Sequence, residues 1–223
     1  MADIYLTDKD DTYEHSKGKS WTTIRALAGN DVINIFGNAN VLAGPGNDVI
    51  KNGSDSTSGG AVYWESPNAI YVDLEAGYAL DGYGTRDTLI NIHDISTSGR
   101  DGDVVLGSST ADIVWLNGFS WTSRQPGTAT VDLRGGIDNV NFYDNKISDF
   151  QIDVSADGRT VKLAGKNGYS AIVKNAEIFL FVEKLADGSE RKNQVNLVDL
   201  IDIQSVGPSI LTRGYKGWQS GSL

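Results

Sequence analysis

At 223 residues with 39% hydrophobic side chains, the chain is long enough to bury a core, as one domain or two small ones. A formal net charge of −10, built from 23 Asp and only six Glu, argues against phosphate backbones and anionic membrane surfaces as partners and favours cations. The absence of Cys excludes disulfides and thiolate metal sites, and two histidines, His15 and His93, argue against an imidazole-rich zinc or iron centre.

In chain order, the polar start MADIYLTDKDD carries no apolar core of a Sec-type signal, and no run approaches the eighteen apolar residues of a membrane span. Short β-rich runs then recur: Val32–Ile35, Ala61–Tyr63, Ile70–Leu74, Thr88–Ile92, Val104–Leu106, Ile113–Trp115, Thr130–Leu133, Val140–Phe142, Phe150–Val154, Thr160–Ala164, Ser170–Lys174 and Glu177–Val182. Gly, Asn, Asp and Ser separate them, the pattern of an all-β chain. Gln194–Ile203 fits a helix, with an alternation that also fits a strand, and residues 205–223 read as a Gly/Ser-rich tail.

A repeat decides the architecture. Asp31 in AGNDVIN has Gly29 two before it and Ile33 two after, and Asp48 in AGPGNDVIK has Gly46 before and Ile50 after. Asn40 stands between them at the same phase. Asp103, Asp112 and Asp138 follow, with Val105, Val114 or Val140 two residues later; Gly136 precedes Asp138, but Asp101 and Thr110 stand where Gly is expected before Asp103 and Asp112. Glycine permits positive φ and close stacking of successive turns, Asp supplies a carboxylate, and strand alternation turns Ile50 inward and Val49 outward.

These residues resemble the RTX, or haemolysin-type calcium-binding, repeat, Gly-Gly-x-Gly-x-Asp-x-apolar-x. The best match is 43–51, with Ala43 at the first Gly position. The stretch from Ala61 to Asp112, with Tyr63, Val72-Asp73-Leu74, Gly77 and Asp87-Thr88-Leu89-Ile90-Asn91-Ile92, is similar to the spacer such proteins place between repeat blocks, and the resemblance covers roughly residues 25–188. It implies an all-β fold: a parallel β-roll, or β-solenoid, of degenerate nonapeptide repeats over 1–145, with a spacer at 55–100, and a C-terminal β-rich cap over 146–223 that includes a type I secretion segment. It implies Ca²⁺ held by corner loops at Gly29, Asp31, Ala43, Gly44, Gly46 and Asp48, and at Asp103, Asp112 and Asp138. Asp31 and Asp48, seventeen apart, suit one shared ion. Asp103 and Asp112, nine apart, fall on opposite sides and each needs a partner loop. One to three ions are expected.

No catalytic motif accompanies the repeats. His15 and His93 read as surface or loop histidines, and the cluster to watch is Tyr71, Tyr78, Tyr83 and Arg86. Trp115 and Trp121 flank a stretch that breaks the repeat phase, a loop suited to stacking on sugars, docking on a subunit, or covering the core's end; Trp64 and Trp218 stay undecided. The expected function is that of a secreted, non-enzymatic extracellular component of a surface layer, filament or adhesive, folded and self-assembled by calcium as a homo-oligomer or surface assembly. The alternative is a polysaccharide-acting enzyme, lyase or epimerase-like, or its carbohydrate-binding accessory module.

Overall fold

A computed structural model of the chain describes residues 2–16, 21–53, 59–116 and 126–206. It is mostly β, built from two large, largely parallel sheets. The nine-stranded sheet runs, neighbour to neighbour, β1 (Ala2–Tyr5), β3 (Thr22–Arg25), β5 (Ala39–Leu42), β7 (Gly59–Val62), β11 (Asp94–Ser96), β13 (Ile113–Trp115), β15 (Asn139–Tyr143), β19 (Ile178–Lys184) and β20 (Glu190–Asn196). The eleven-stranded sheet runs β2 (Thr12–His15), β4 (Val32–Ile35), β6 (Val49–Asn52), β10 (Arg86–Ile90), β9 (Tyr78–Leu80), β8 (Tyr71–Asp73), β12 (Val104–Leu106), β14 (Gly127–Asp132), β18 (Tyr169–Lys174), β17 (Thr160–Gly165) and β16 (Phe150–Val154). Over β1–β7 and β11–β15 the chain crosses to the other sheet after every strand. Antiparallel pairs occur where it stays: within β8–β9–β10, within β16–β17–β18 and between β19 and β20.

Alternation within each short strand gives one residue to the interior and the next to the outside. Register aligns the inward residues into files. Ile24, Val41, Ala61, Ile95, Val114, Val140 and Phe179 stand side by side across the first sheet. Ile33, Ile50 and Leu89, then Val72, Val105, Val131 and Val173, line the second. Both files belong to one hydrophobic core. The apolar residue two after each marker Asp (Ile33, Ile50, Val105, Val114, Val140) is buried in every case, while Val49 is partly exposed. Ile50→Ala is therefore expected to lower unfolding stability by ~2–5 kcal/mol, against less than ~1 kcal/mol for Val49→Ala, read by denaturant unfolding.

Two expectations need correction, and a third holds in both of its forms, each over part of the stretch. Asn40 is not at a turn. It lies inside β5 with its side chain outward, and the corner residue on that side is Asn38, whose carbonyl accepts the Thr22 N–H at 3.1 Å. His15 is fully buried, because β2 pairs with β4 in a register that puts it beside Ile35, on the inner face. Gln194–Ile203 is divided: residues to Asn196 continue β20 against β19, and helix α1 (Leu197–Val206) begins only there, with Asp199 Oδ2 accepting the Asn196 N–H at 3.2 Å. The parallel strands also start at Ala2, well before the repeat pattern becomes legible. Trp121, Trp218 and the tail from 207 lie outside the described residues, as does most of the expected Trp115–Trp121 loop.

Candidate metal centre

The marker Asp residues sit at the corners where the chain enters a strand. Asp31 precedes β4 and Asp48 precedes β6. Since β4 and β6 are adjacent and parallel, residues seventeen apart in sequence become neighbours. The Asp31 N–H donates to Asp48 Oδ1 at 2.8 Å. Sequence reasoning missed that this is a longer ladder. The Asp11 N–H donates to Asp31 Oδ1 at 2.7 Å, and the Asp48 N–H to Asp87 Oδ1 at 3.2 Å. Each carboxylate thus caps the same backbone position one strand over. The preceding residues form a second set of bonds, running the other way: Asn30 N–H to Asp10 Oδ1 at 2.7 Å, Asn47 N–H to Asn30 Oδ1 at 2.9 Å, and Arg86 N–H to Asn47 Oδ1 at 3.2 Å. A signal was present in the pairs Asp10-Asp11, Asn30-Asp31, Asn47-Asp48 and Arg86-Asp87, each at or just before the start of a strand, but Asp11 and Asp87 lack the glycine two residues earlier.

Asp31 and Asp48 are almost wholly buried, and Oδ2 of each has no hydrogen-bond partner. Burial raises the carboxyl pKa of both, taking Asp48 to about 6, and the backbone donors oppose the shift. Neighbouring carboxylates add to it, Asp11 and Asp10 at Asp31, and Asp31 and Asp81 at Asp48. The loops around them need glycine. A Cβ on Gly44 (φ +92°) would fall on the Leu27 carbonyl, and one on Gly46 (φ +157°) on the Gly29 carbonyl. Gly29 in turn donates its N–H to Pro45 O at 3.3 Å, and Ala43 packs into the core. The ladder ends at Asp87, whose Oδ2 accepts the hydroxyl of buried Tyr63 at 3.1 Å; a neutral donor stands there instead of a cation.

A further ladder runs along the corners leading into the other sheet. The Asp112 N–H donates to Asp138 Oδ1 at 2.8 Å, and the Asp138 N–H to Glu177 Oε2 at 2.9 Å. Its far end is His93, whose Nδ1 lies 2.8 Å from Asp112 Oδ1. Asp138 Oδ2 is buried without a partner, and burial lifts that carboxyl to about 6. Asp112 differs: His93 and Ser108 occupy Oδ1, and the Ser108 N–H occupies Oδ2 at 2.6 Å. Asp103, on the opposite side as expected, is equally engaged, with Ile70 N–H and Ser98 Oγ on Oδ1 and Gly99 N–H on Oδ2. For these two the pattern in the sequence is the whole of the support for a cation.

Oxygen-only donors of this kind suit a hard cation such as Ca²⁺, which takes six to eight oxygens. Among the described residues no three His, Asp or Glu side chains converge, so an ion at Asp31/Asp48 or at Asp138 would draw most of its ligands from main-chain carbonyls. The watched aromatic cluster is partly assembled: Tyr71 and Tyr78 stack with centroids 5.9 Å apart and the Arg86 guanidinium lies 4.4 Å from the Tyr78 ring centre, whereas Tyr83 turns away to donate its hydroxyl to the Glu65 carbonyl. Trp115 donates to Asp94, whose carboxyl burial raises to about 7. No protein-family model matches the chain, and no curated protein matches it.

Proposed function

We propose that this chain is a secreted, calcium-binding protein of the RTX type, in which the two sheets are the walls of a β-roll and calcium drives folding. The observation that carries this reading is the pair of buried Oδ2 atoms on Asp31 and Asp48, ionisable oxygens without a partner in adjacent corners rich in glycine. A buried carboxylate with an unmet oxygen is destabilising unless it is neutralised or paired. Calcium supplies that pairing, and because it binds the folded chain it stabilises that state by mass action. In a calcium-poor compartment the stacked acids repel one another and the roll stays loose; outside the cell millimolar calcium closes it.

The role is that of a non-enzymatic component of a surface layer, filament or adhesive. Supporting self-association, β1 and β2 leave unpaired edges at the same end of the two sheets among the described residues. Among those residues no helix is long and apolar enough to cross a membrane.

The test is Asp48→Asn with Asp31→Asn. Each is expected to weaken calcium binding by about tenfold or more, about 1.4 kcal/mol, in isothermal titration calorimetry. In metal-free solution the same substitutions are expected to leave stability equal or higher, since each removes a buried charge. Calcium affinity unchanged in both variants would overturn the reading.

A further inference from the structure

The Tyr83 that left the aromatic cluster lines a cavity of about 280 Å³ on the outer side of the nine-stranded sheet. Its walls are of two kinds. Leu42 and Val62, both nearly inaccessible, form an aliphatic floor, and Asp8, Arg25, Glu65 and Tyr83 form a polar rim. The rim is held in place by internal contacts. Arg25 Nη1 pairs with Glu65 Oε1, and the Tyr83 hydroxyl is fixed on the Glu65 carbonyl at 3.0 Å. Arg25 Nε is buried within the protein, with Asp3 Oδ2 3.9 Å away, so the guanidinium is held from a second side.

The geometry points to a binding site for a single neutral pyranose ring. Carboxylates and a guanidinium side by side match the donors and acceptors of vicinal hydroxyl groups. An aliphatic floor and a partly exposed tyrosine ring match the C–H face of a sugar. The two carboxylates against one guanidinium disfavour an anionic ligand, and the volume lies at the small end for ligand pockets, enough for one ring and not for an extended chain. This goes beyond calcium binding: the cavity reaches the Gly44–Pro45 corner, but its polar rim contains none of Asp31, Asp48 and Asp138.

The experiment is saturation-transfer NMR and calorimetry on the full chain with the methyl glycosides of glucose, galactose, mannose and N-acetylglucosamine, in calcium-containing buffer with folding checked by circular dichroism. At least one glycoside is expected to bind with millimolar affinity. Glu65→Gln and Tyr83→Ala are each expected to weaken that binding about tenfold, while Tyr71→Ala, on the other sheet's outer face, leaves it unchanged. No binding by any of the four to the folded chain overturns the proposal. So does binding that survives both Glu65→Gln and Tyr83→Ala. Neither result bears on the calcium titration, so the two proposals fail separately.

Discussion

Stripped of divalent ions, the protein is expected to melt ~5–10 °C higher at about pH 5.5 than at about pH 8, and saturating calcium is expected to erase most of that difference by raising the value at the higher pH. The sign follows from linkage. Burial raises the carboxyl pKa of Asp31, Asp48 and Asp87, takes Asp138 to about 6 and takes Asp94 to about 7, all above the value of 3.8 for an unperturbed Asp. A carboxyl with a raised folded-state pKa binds protons more readily in the folded chain than in the unfolded one. Its contribution is fully present below the unfolded value and is lost as pH rises through the folded value. The window therefore runs from near pH 4 to near pH 8, where Asp87 titrates at about 8, and stability falls across it. In the proposed reading calcium replaces the proton as the neutralising partner at Asp31, Asp48 and Asp138, leaving Asp94 and Asp87, where Tyr63 stands instead of a cation, as the residual slope. Thermal melts followed by circular dichroism decide the matter. A metal-free melting temperature that is flat or falls on acidification would remove the electrostatic basis of the proposed folding switch, as would calcium raising both values equally.

Gly44→Ala is expected to be among the most damaging single changes outside the core, lowering stability by ~3–5 kcal/mol or preventing folding, where Gly84→Ala lowers it by only ~1–2 kcal/mol. Both glycines have positive φ, +92° and +99°, so both substitutions strain the backbone. They differ in what the new methyl meets. At Gly84 nothing lies within 4 Å, whereas at Gly44 the methyl lands on the backbone carbonyl of Leu27 in the neighbouring corner. A backbone atom locked in a parallel register cannot move aside as a side chain can. Urea unfolding of the two variants in calcium separates strain alone from strain plus collision, and equal losses would show that the corners are looser than their packing implies.

The repeat made part of this legible in advance. Asp31-Val32-Ile33 and Asp48-Val49-Ile50 carry an alternation and a turn chemistry that act within a few residues, so strand positions, inward and outward faces and the glycine requirement follow from local sequence. The same local logic found strands near Val104, Ile113 and Val140. It failed for β1, β2 and β3, where Asp3, Glu14 and Arg25 hide the apolar pattern, and for His15, whose burial depends on pairing with β4 rather than on its polar neighbours.

The sequence by itself determined a β-rich chain with acidic, glycine-bearing corners and a nominated set of aspartates, because those properties depend on residues adjacent in the chain. Only the tertiary structure decided which aspartates keep an unmet oxygen. Asp103 and Asp112 share with Asp31 and Asp48 the β-branched residue two positions later, though not the glycine two before; Ser98, Gly99 and Ile70 satisfy the first, and His93 and Ser108 the second. Ile70 and His93 are remote in the chain and arrive beside these carboxylates through parallel pairing, a relation set by how the strands stack and not by the spacing of the motif.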